Sequence, residues 1–228
     1  MLGISVAVVV PTNIPQTKLD GVRQMGADVI IAGDYYDDSE VIAHEQSQRT
    51  GRIFVHAFED PKVIAGQGTV GLEMLYDHPD LDTIVVPAGG GGLICGVGIA
   101  ARAINPNIEV IGIQSHASPA WYAAFQQGSV VEVEYQDTWA EGLLGSIGPK
   151  NFAIAQRVVN RFELVSEQEI RNAMRWALTT LHWIVEGSAA TGLAWALFHG
   201  TSLRNRRVGI ILTGGNLDAQ RLKELLVT

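Results

Sequence analysis

The chain has 228 residues, a net charge of -8, a single cysteine, and 47% hydrophobic against 18% charged residues. That is enough material for one large domain or two small ones with a buried core, and too apolar for a disordered chain. The acidic balance argues against nucleic acid or an anionic membrane as partner, Cys95 alone excludes an internal disulfide framework and favours a reducing cytoplasm, and neither a bilayer-spanning stretch nor a signal peptide is read.

The first predicted element is a buried strand, Val6 to Val10, ended by Pro11. A helix follows over Thr17 to Met25, with Leu19, Val22 and Met25 on one face and Gly26 at its end. Asp28 to Ala32 is a second strand, Asp37 to Arg49 a polar helix closed by Gly51, and Ile53 to His56 a third strand. Val63 to Tyr76 reads as a helix whose Gly66, Gly68 and Gly71 would allow close packing. Thr83 to Pro87 is a strand, Leu93 to Ile104 a helix, Val110 to Ile113 a strand and Pro119 to Gln127 a short helix. Residues 129 to 150 carry no strong period and suggest loop with a short helix. Asn151 to Asn160 is helical, and Ser166 with Glu169 forms a capping box for the next helix. Arg207 to Leu212 is the last strand and Asp218 to Leu226 the last helix. This alternation implies an α/β fold, a doubly wound and mainly parallel sheet, with a mild boundary near residues 58–62.

Four loops could carry chemistry. Gly89, Gly90, Gly91, Gly92 and Leu93 follow a strand and open a helix, a context in which converging amides and the helix N-terminus make an anion site suited to phosphate; the alternative is a flexible turn. Neither a Walker loop nor a dinucleotide fingerprint fits their spacing. Thr213-Gly214-Gly215-Asn216 also follows a strand, and two such loops could face one crevice; its alternative is a turn with Asn216 capping the final helix. Glu186, in an apolar stretch of small residues, is either a buried functional carboxylate or a surface residue at a helix break. Thr138 to Leu143, with Gly142, says little alone. The six His residues have no metal-ligand spacing. His56 reads as a structural histidine, Cys95 as a small hydrophobe, and Trp176, Trp183 and Trp195 as core or interface residues.

Taken together, residues 63–73, the Pro87 to Leu93 loop, Ala140-Glu141-Gly142, Val185-Glu186-Gly187 and Thr213 to Asn216 resemble the fold-type II pyridoxal-phosphate enzymes, nearest to the threonine/serine ammonia-lyases (dehydratases) and serine racemase. The resemblance covers nearly the whole chain. It implies a tryptophan-synthase-β-like architecture, with residues 1–59 a remnant of a small α/β domain and residues 60–228 the large cofactor-phosphate-binding domain. It implies that Gly89, Gly90, Gly91, Gly92 and Leu93 hold the phosphate of pyridoxal 5'-phosphate. Thr213 would hydrogen-bond the pyridine nitrogen, Gly142 would lie beside the ring, and Glu186 near its edge. The activity implied is elimination of water from a β-hydroxy-amino acid, giving a 2-oxo acid and ammonia.

The resemblance also carries departures. The Schiff-base lysine of such enzymes belongs to an N-terminal Ser-x-Lys-x-Arg-type motif, followed by a Ser-Gly-Asn-His-type loop. Met1 to Ser5 looks like the middle of such a sequence, and none of Lys18, Lys62, Lys150 and Lys223 stands in that motif. The expectation is therefore a chain lacking the N-terminal portion, with no catalytic residue of its own, no covalent attachment of cofactor, and no turnover alone. Positions matching a divalent-cation site of some relatives are Gln114, Ser118 and Ala120; none is acidic, so no metal is expected. Exposed apolar surface should favour a homo-oligomer, a dimer or larger, or pairing with the missing portion. Rival readings are a non-catalytic module for a small phosphate or pyridoxal phosphate, and a truncated subunit acting through protein–protein pairing.

Overall fold

The computed structural model describes residues 3–227. The chain divides into two compact units, Met1–Val55 and His56–Thr228. The first unit holds β1 (Ala7–Val10), α1 (Gln16–Gln24), β2 (Asp28–Ile31) and α2 (Tyr36–Thr50), with β1 and β2 paired in parallel. Residues 53–56, predicted as a strand, have no regular structure. A strand needs a ladder partner, and among the described residues none pairs there. The Phe54 ring instead lies against that of His44, with centroids 3.8 Å apart.

The second unit holds α3 (Pro61–Asp77), β3 (Thr83–Pro87), α4 (Gly92–Ile104), β4 (Glu109–Ser115), α5 (Ala120–Gln127), α6 (Pro149–Val158), β5 (Arg161–Val165), α7 (Glu167–Trp176), α8 (Gly187–His199), β6 (Val208–Ile210) and α9 (Ala219–Val227). A 3₁₀ turn spans Glu141–Leu143 and a π-helical turn spans Ala177–Leu181. The sheet runs β5-β4-β3-β6, and every pairing is parallel. Parallel strands need both faces covered. Accordingly Ile84, Val86 and Val110 point into one core beneath α4, α5 and α6, while Val85, Ile111 and Ile113 point into a second core beneath α7 and α8. The fold is thus α/β with parallel sheets, as the alternation of elements predicted.

Two elements escape the sequence reading. β5 is the segment Arg-Phe-Glu-Leu-Val, in which Phe162 and Val165 are buried while Arg161 and Glu163 pair side by side at 2.9 Å. α8 is a run of small residues, buried from Gly187 to Trp195. The capping box at Ser166 forms as expected, with the Glu169 carboxylate accepting from the Ser166 amide at 2.7 Å.

Strand order creates a divide at β3. The chain leaves β3 through α4 to reach β4 on one side, and β6 lies on the other side. Loops leaving the carboxyl ends of such neighbouring strands diverge around a crevice, the usual ligand position in open α/β sheets. The helix beneath this point is held close. A methyl group on Gly96 of α4 would lie 2.7 Å from the Gly68 nitrogen of α3 and run into the Ile64 carbonyl, whereas one on Gly66 would meet nothing within 4 Å. Gly96→Ala is therefore expected to lower stability by more than about 2 kcal/mol through overpacking, while Gly66→Ala raises it by about 0.5–1 kcal/mol through helix propensity. Urea denaturation of the two variants checks both signs.

Candidate functional site

The loop between β3 and α4 is built by its carbonyls. Ala88 O accepts from Gln114 Nε2 at 3.2 Å, Gly89 O from Trp121 Nε1 at 2.6 Å, Gly90 O from Asn151 Nδ2 at 2.8 Å, and Gly91 O from the Cys95 amide at 3.0 Å. Four successive carbonyls thus face protein donors. Among the described residues, the amides of Gly89, Gly90, Gly91, Gly92 and Leu93 donate to no protein acceptor. Those of Gly92 and Leu93 open α4 and carry the positive end of its dipole. Gly91 has φ 98°, a left-handed conformation that a side chain resists.

The glycines are also required by their neighbours. A Cβ on Gly90 would enter the Phe58 ring, and one on Gly91 would meet Trp121 and come within 3.1 Å of Asn151 Cβ. On Gly92 it would lie 2.9 Å from Phe58 O. Phe58 belongs to a turn fixed by His56, whose Nδ1 accepts the amides of Phe58 and Glu59 at 3.2 and 3.1 Å. His56 thus holds this turn, although the strand that it was read as ending does not form.

The remaining predicted residues connect to this loop through a chain of contacts. A Cβ on Gly89 would lie 3.2 Å from Gly142 O. The Gly142 amide donates to Ser188 Oγ at 3.0 Å. Ser188 is in the first turn of α8, whose N-cap residue is Glu186. The Glu186 amide donates to Gly214 O at 3.1 Å, and the carboxylate lies against Gly214. Thr213, exposed, adjoins that glycine. The loops after β3 and β6, the 3₁₀ turn and the start of α8 therefore meet at one end of the sheet. Glu186 is half-buried at a helix start rather than deep in the core. A carboxylate there is favoured by the dipole of α8.

Sequence reasoning missed the residues behind the site. Glu167, first in α7, accepts from Ser115 Oγ, from Thr138 Oγ1 at 2.7 Å and from the Trp139 amide at 2.7 Å, tying the 138–143 segment to the end of β4. Gln114 entered the sequence analysis only as a position aligned with a cation site. Trp121 and Asn151 gave no signal. Among the described residues no three His, Cys, Asp or Glu side chains converge as metal ligands would. Of the positions aligned with a cation site, Gln114 is engaged with backbone at both ends of its amide, and Ser118 Oγ is buried with no hydrogen-bond partner. Of the three tryptophans read as core or interface, Trp195 is buried and Trp183 is 57% exposed.

A run of forward-facing amides at a helix start is the geometry that a phosphate ester needs. Residues 1–214 match the family model described as pyridoxal-phosphate dependent enzyme. The chain belongs to this family of pyridoxal-phosphate dependent enzymes. It is 36% identical over 227 residues to the L-threonine ammonia-lyase of Thermotoga maritima, covering 99% of this chain and 56% of that protein. It is 38% identical over 229 residues to the catabolic L-threonine dehydratase of Escherichia coli K12, covering 99% of this chain and 69% of that one. The chain therefore spans about half to two thirds of the length of these relatives. Among solved structures, maize serine racemase superposes with a TM-score of 0.91 at 31% identity, covering 98% of this chain and 70% of that chain. Threonine deaminase isoform 2 of Solanum lycopersicum gives 0.89 at 31%, covering 97% and 65%.

The family's cofactor fits the residues present. The amides of the glycine loop, which have no protein acceptor among the described residues, suit its phosphate. Cys95 is not positioned as a nucleophile. It is fully buried, its Sγ donates to Asn151 O at 3.3 Å, and burial pushes its thiol from the ordinary 9.0 up to about 12. Between these values the folded chain keeps a proton that the unfolded chain loses, so stability falls as pH rises through that window. Native Cys95 is accordingly expected to resist Ellman's reagent at about pH 8 and to react once urea unfolds the chain.

Proposed function

We propose that these 228 residues form the phosphate-holding part of a pyridoxal-phosphate dependent lyase acting on a β-hydroxy-amino acid, threonine or serine, to give a 2-oxo acid and ammonia. The observation that supports this reading most directly is the glycine loop, with its carbonyls tied behind and its amides unpaired in front. The names of the similar proteins, ammonia-lyase and dehydratase, agree with it. When bound, pyridoxal phosphate supplies an electron sink for the carbon next to the amino-acid carboxylate. The chain's own residues would hold and orient it. Gly89, Gly90, Gly91, Gly92 and Leu93 would donate to the phosphate, and the Thr213 hydroxyl would meet the ring nitrogen. Gly142 would lie beside the ring, and Glu186 would stand near the ring edge. The dipole of α4 adds to phosphate affinity.

We further propose that none of the four lysines present attaches the cofactor. Lys18 lies on α1 in the first unit, and Lys62, Lys150 and Lys223 are exposed. The Lys150 amide donates to the Glu59 carboxylate at 3.0 Å, as part of the α6 start. On this reading the 228 residues by themselves bind pyridoxal phosphate non-covalently and do not turn over amino acids. A cytoplasmic setting is proposed on the single, buried thiol. Among the described residues no helix is long and apolar enough to cross a membrane.

A titration of the purified chain with pyridoxal phosphate, followed by borohydride reduction and peptide mapping, tests the reading. Saturable binding that raises the melting temperature, with no lysine adduct, is the expected result. An adduct on one specific lysine would overturn the non-covalent proposal. Absence of any binding would overturn the phosphate assignment itself.

Self-association is proposed from an apolar stripe on α3 and α4. Leu72 and Tyr76 of α3 are 47% and 88% exposed, and Ile99 and Ile104 of α4 are 46% and 49% exposed. The stripe runs into a groove of about 420 Å³ lined by Ile64, Leu72, Ile99 and Ile154. Apolar patches of this kind mark interaction surfaces. Sedimentation should show a dimer or larger that Tyr76→Lys weakens; a monodisperse monomer would refute this.

A further inference from the structure

The amides of the glycine loop can bind an anion only if something aims them. In a trans peptide the carbonyl of one residue and the N–H of the next point in opposite directions, because the bond between them is planar. Every peptide among the described residues is trans. Anchoring the carbonyls of Ala88, Gly89 and Gly90 therefore sets the direction of the amides of Gly89, Gly90 and Gly91. The three anchors come from three different elements, Gln114 at the end of β4, Trp121 in α5 and Asn151 in α6.

These side chains are themselves fixed. Gln114, Trp121 and Asn151 are at most 1% exposed. Gln114 Oε1 accepts from the amides of Trp121 and Tyr122 at 2.8 and 3.2 Å, which orients its other end toward Ala88 O. The indole of Trp121 lies nearly parallel to the ring of Phe162, 5.0 Å between centroids and 11° between planes, with Phe152 and Phe125 around it. Gly112 of β4 lacks the side chain that would collide with Phe162. Asn151 Nδ2 also donates to Phe58 O at 2.9 Å, joining the turn that fills the Cβ side of Gly90 and Gly92. Buried polar side chains committed to loop carbonyls, instead of to regular structure, are costly unless the loop must hold one shape.

We propose that Gln114, Trp121 and Asn151 are positioning residues for phosphate binding: each grips one loop carbonyl from behind and so points the following amide at the phosphate. The inference rests on the reading of the loop as a phosphate site. Trp121→Phe keeps a ring in the aromatic stack, removes the donor to Gly89 O and opens space beside Gly91. Gln114→Met keeps the volume and removes the hold on Ala88 O together with the acceptor of the Trp121 and Tyr122 amides. Each is expected to weaken binding of inorganic phosphate and of pyridoxal phosphate by about tenfold, the scale of one lost hydrogen bond. Ile170→Val, in the other core, supplies a control that loses stability for packing reasons alone. Its phosphate affinity should match that of the wild type. In the wild-type chain, phosphate titration followed by ¹⁵N NMR should shift the amides of Gly89 to Gly92 and the Trp121 indole N–H together.

Wild-type binding that both Trp121→Phe and Gln114→Met leave unchanged, or that Ile170→Val weakens equally, overturns the inference while the phosphate reading stands. A wild-type chain that does not bind phosphate overturns both. Should neither substitution fold, an indole signal unmoved by phosphate in the wild type overturns the inference by itself.

Discussion

The structure depends on the direction in which four carbonyl groups point. Between β3 and α4 the chain has no side chain beyond the Ala88 methyl with which to steer itself, and glycine-rich backbone left alone samples many conformations. The carbonyls of Ala88, Gly89, Gly90 and Gly91 are each taken by a donor, three of them from buried side chains. Entropy that would otherwise oppose anion binding is thereby removed when the chain folds, not when the ligand arrives. The aromatic group of Trp121, Phe125, Phe152 and Phe162 under the first face of the sheet is part of the same arrangement, because it holds the indole that holds the loop.

Around that loop the rest of the second unit acts as a frame. The parallel order β5-β4-β3-β6 brings the turn after β6 beside the one after β3. Glu167 ties the 138–143 segment to the end of β4, and Ser188 ties Gly142 to α8. The effect of these contacts is to bring backbone from four separated parts of the sequence to one end of the sheet.

Much of this was legible in the sequence, and the pattern of success is physical. Apolar runs such as Thr83 to Pro87 and Val110 to Ile113 are buried on both faces and announce themselves as parallel strands. The glycine loop was legible because composition and context coincide in one stretch. β5 escaped because its five residues alternate charged and apolar side chains between two stronger signals, the end of α6 and the Ser166 cap. The reverse error at residues 53–56 has the matching cause, since local β-propensity cannot supply a neighbouring strand. Gln114, Trp121 and Asn151 stand 26, 32 and 61 residues along the chain from the carbonyls they hold. Nothing local in their types announces a long-range bond to a carbonyl.

The packing around Gly90, Gly91 and Gly92 bears on how such motifs are interpreted. Each absent side chain leaves room that Phe58, Trp121 or Asn151 already fills. Replacing any of the three would disturb folding before any ligand entered the matter. The glycines would thus be retained in a descendant that had given up the reaction, so long as it kept the fold. A glycine run of this kind is a durable record of ancestry, and the current use of the site would be written in the residues proposed to face the ligand, among them Thr213 and Glu186.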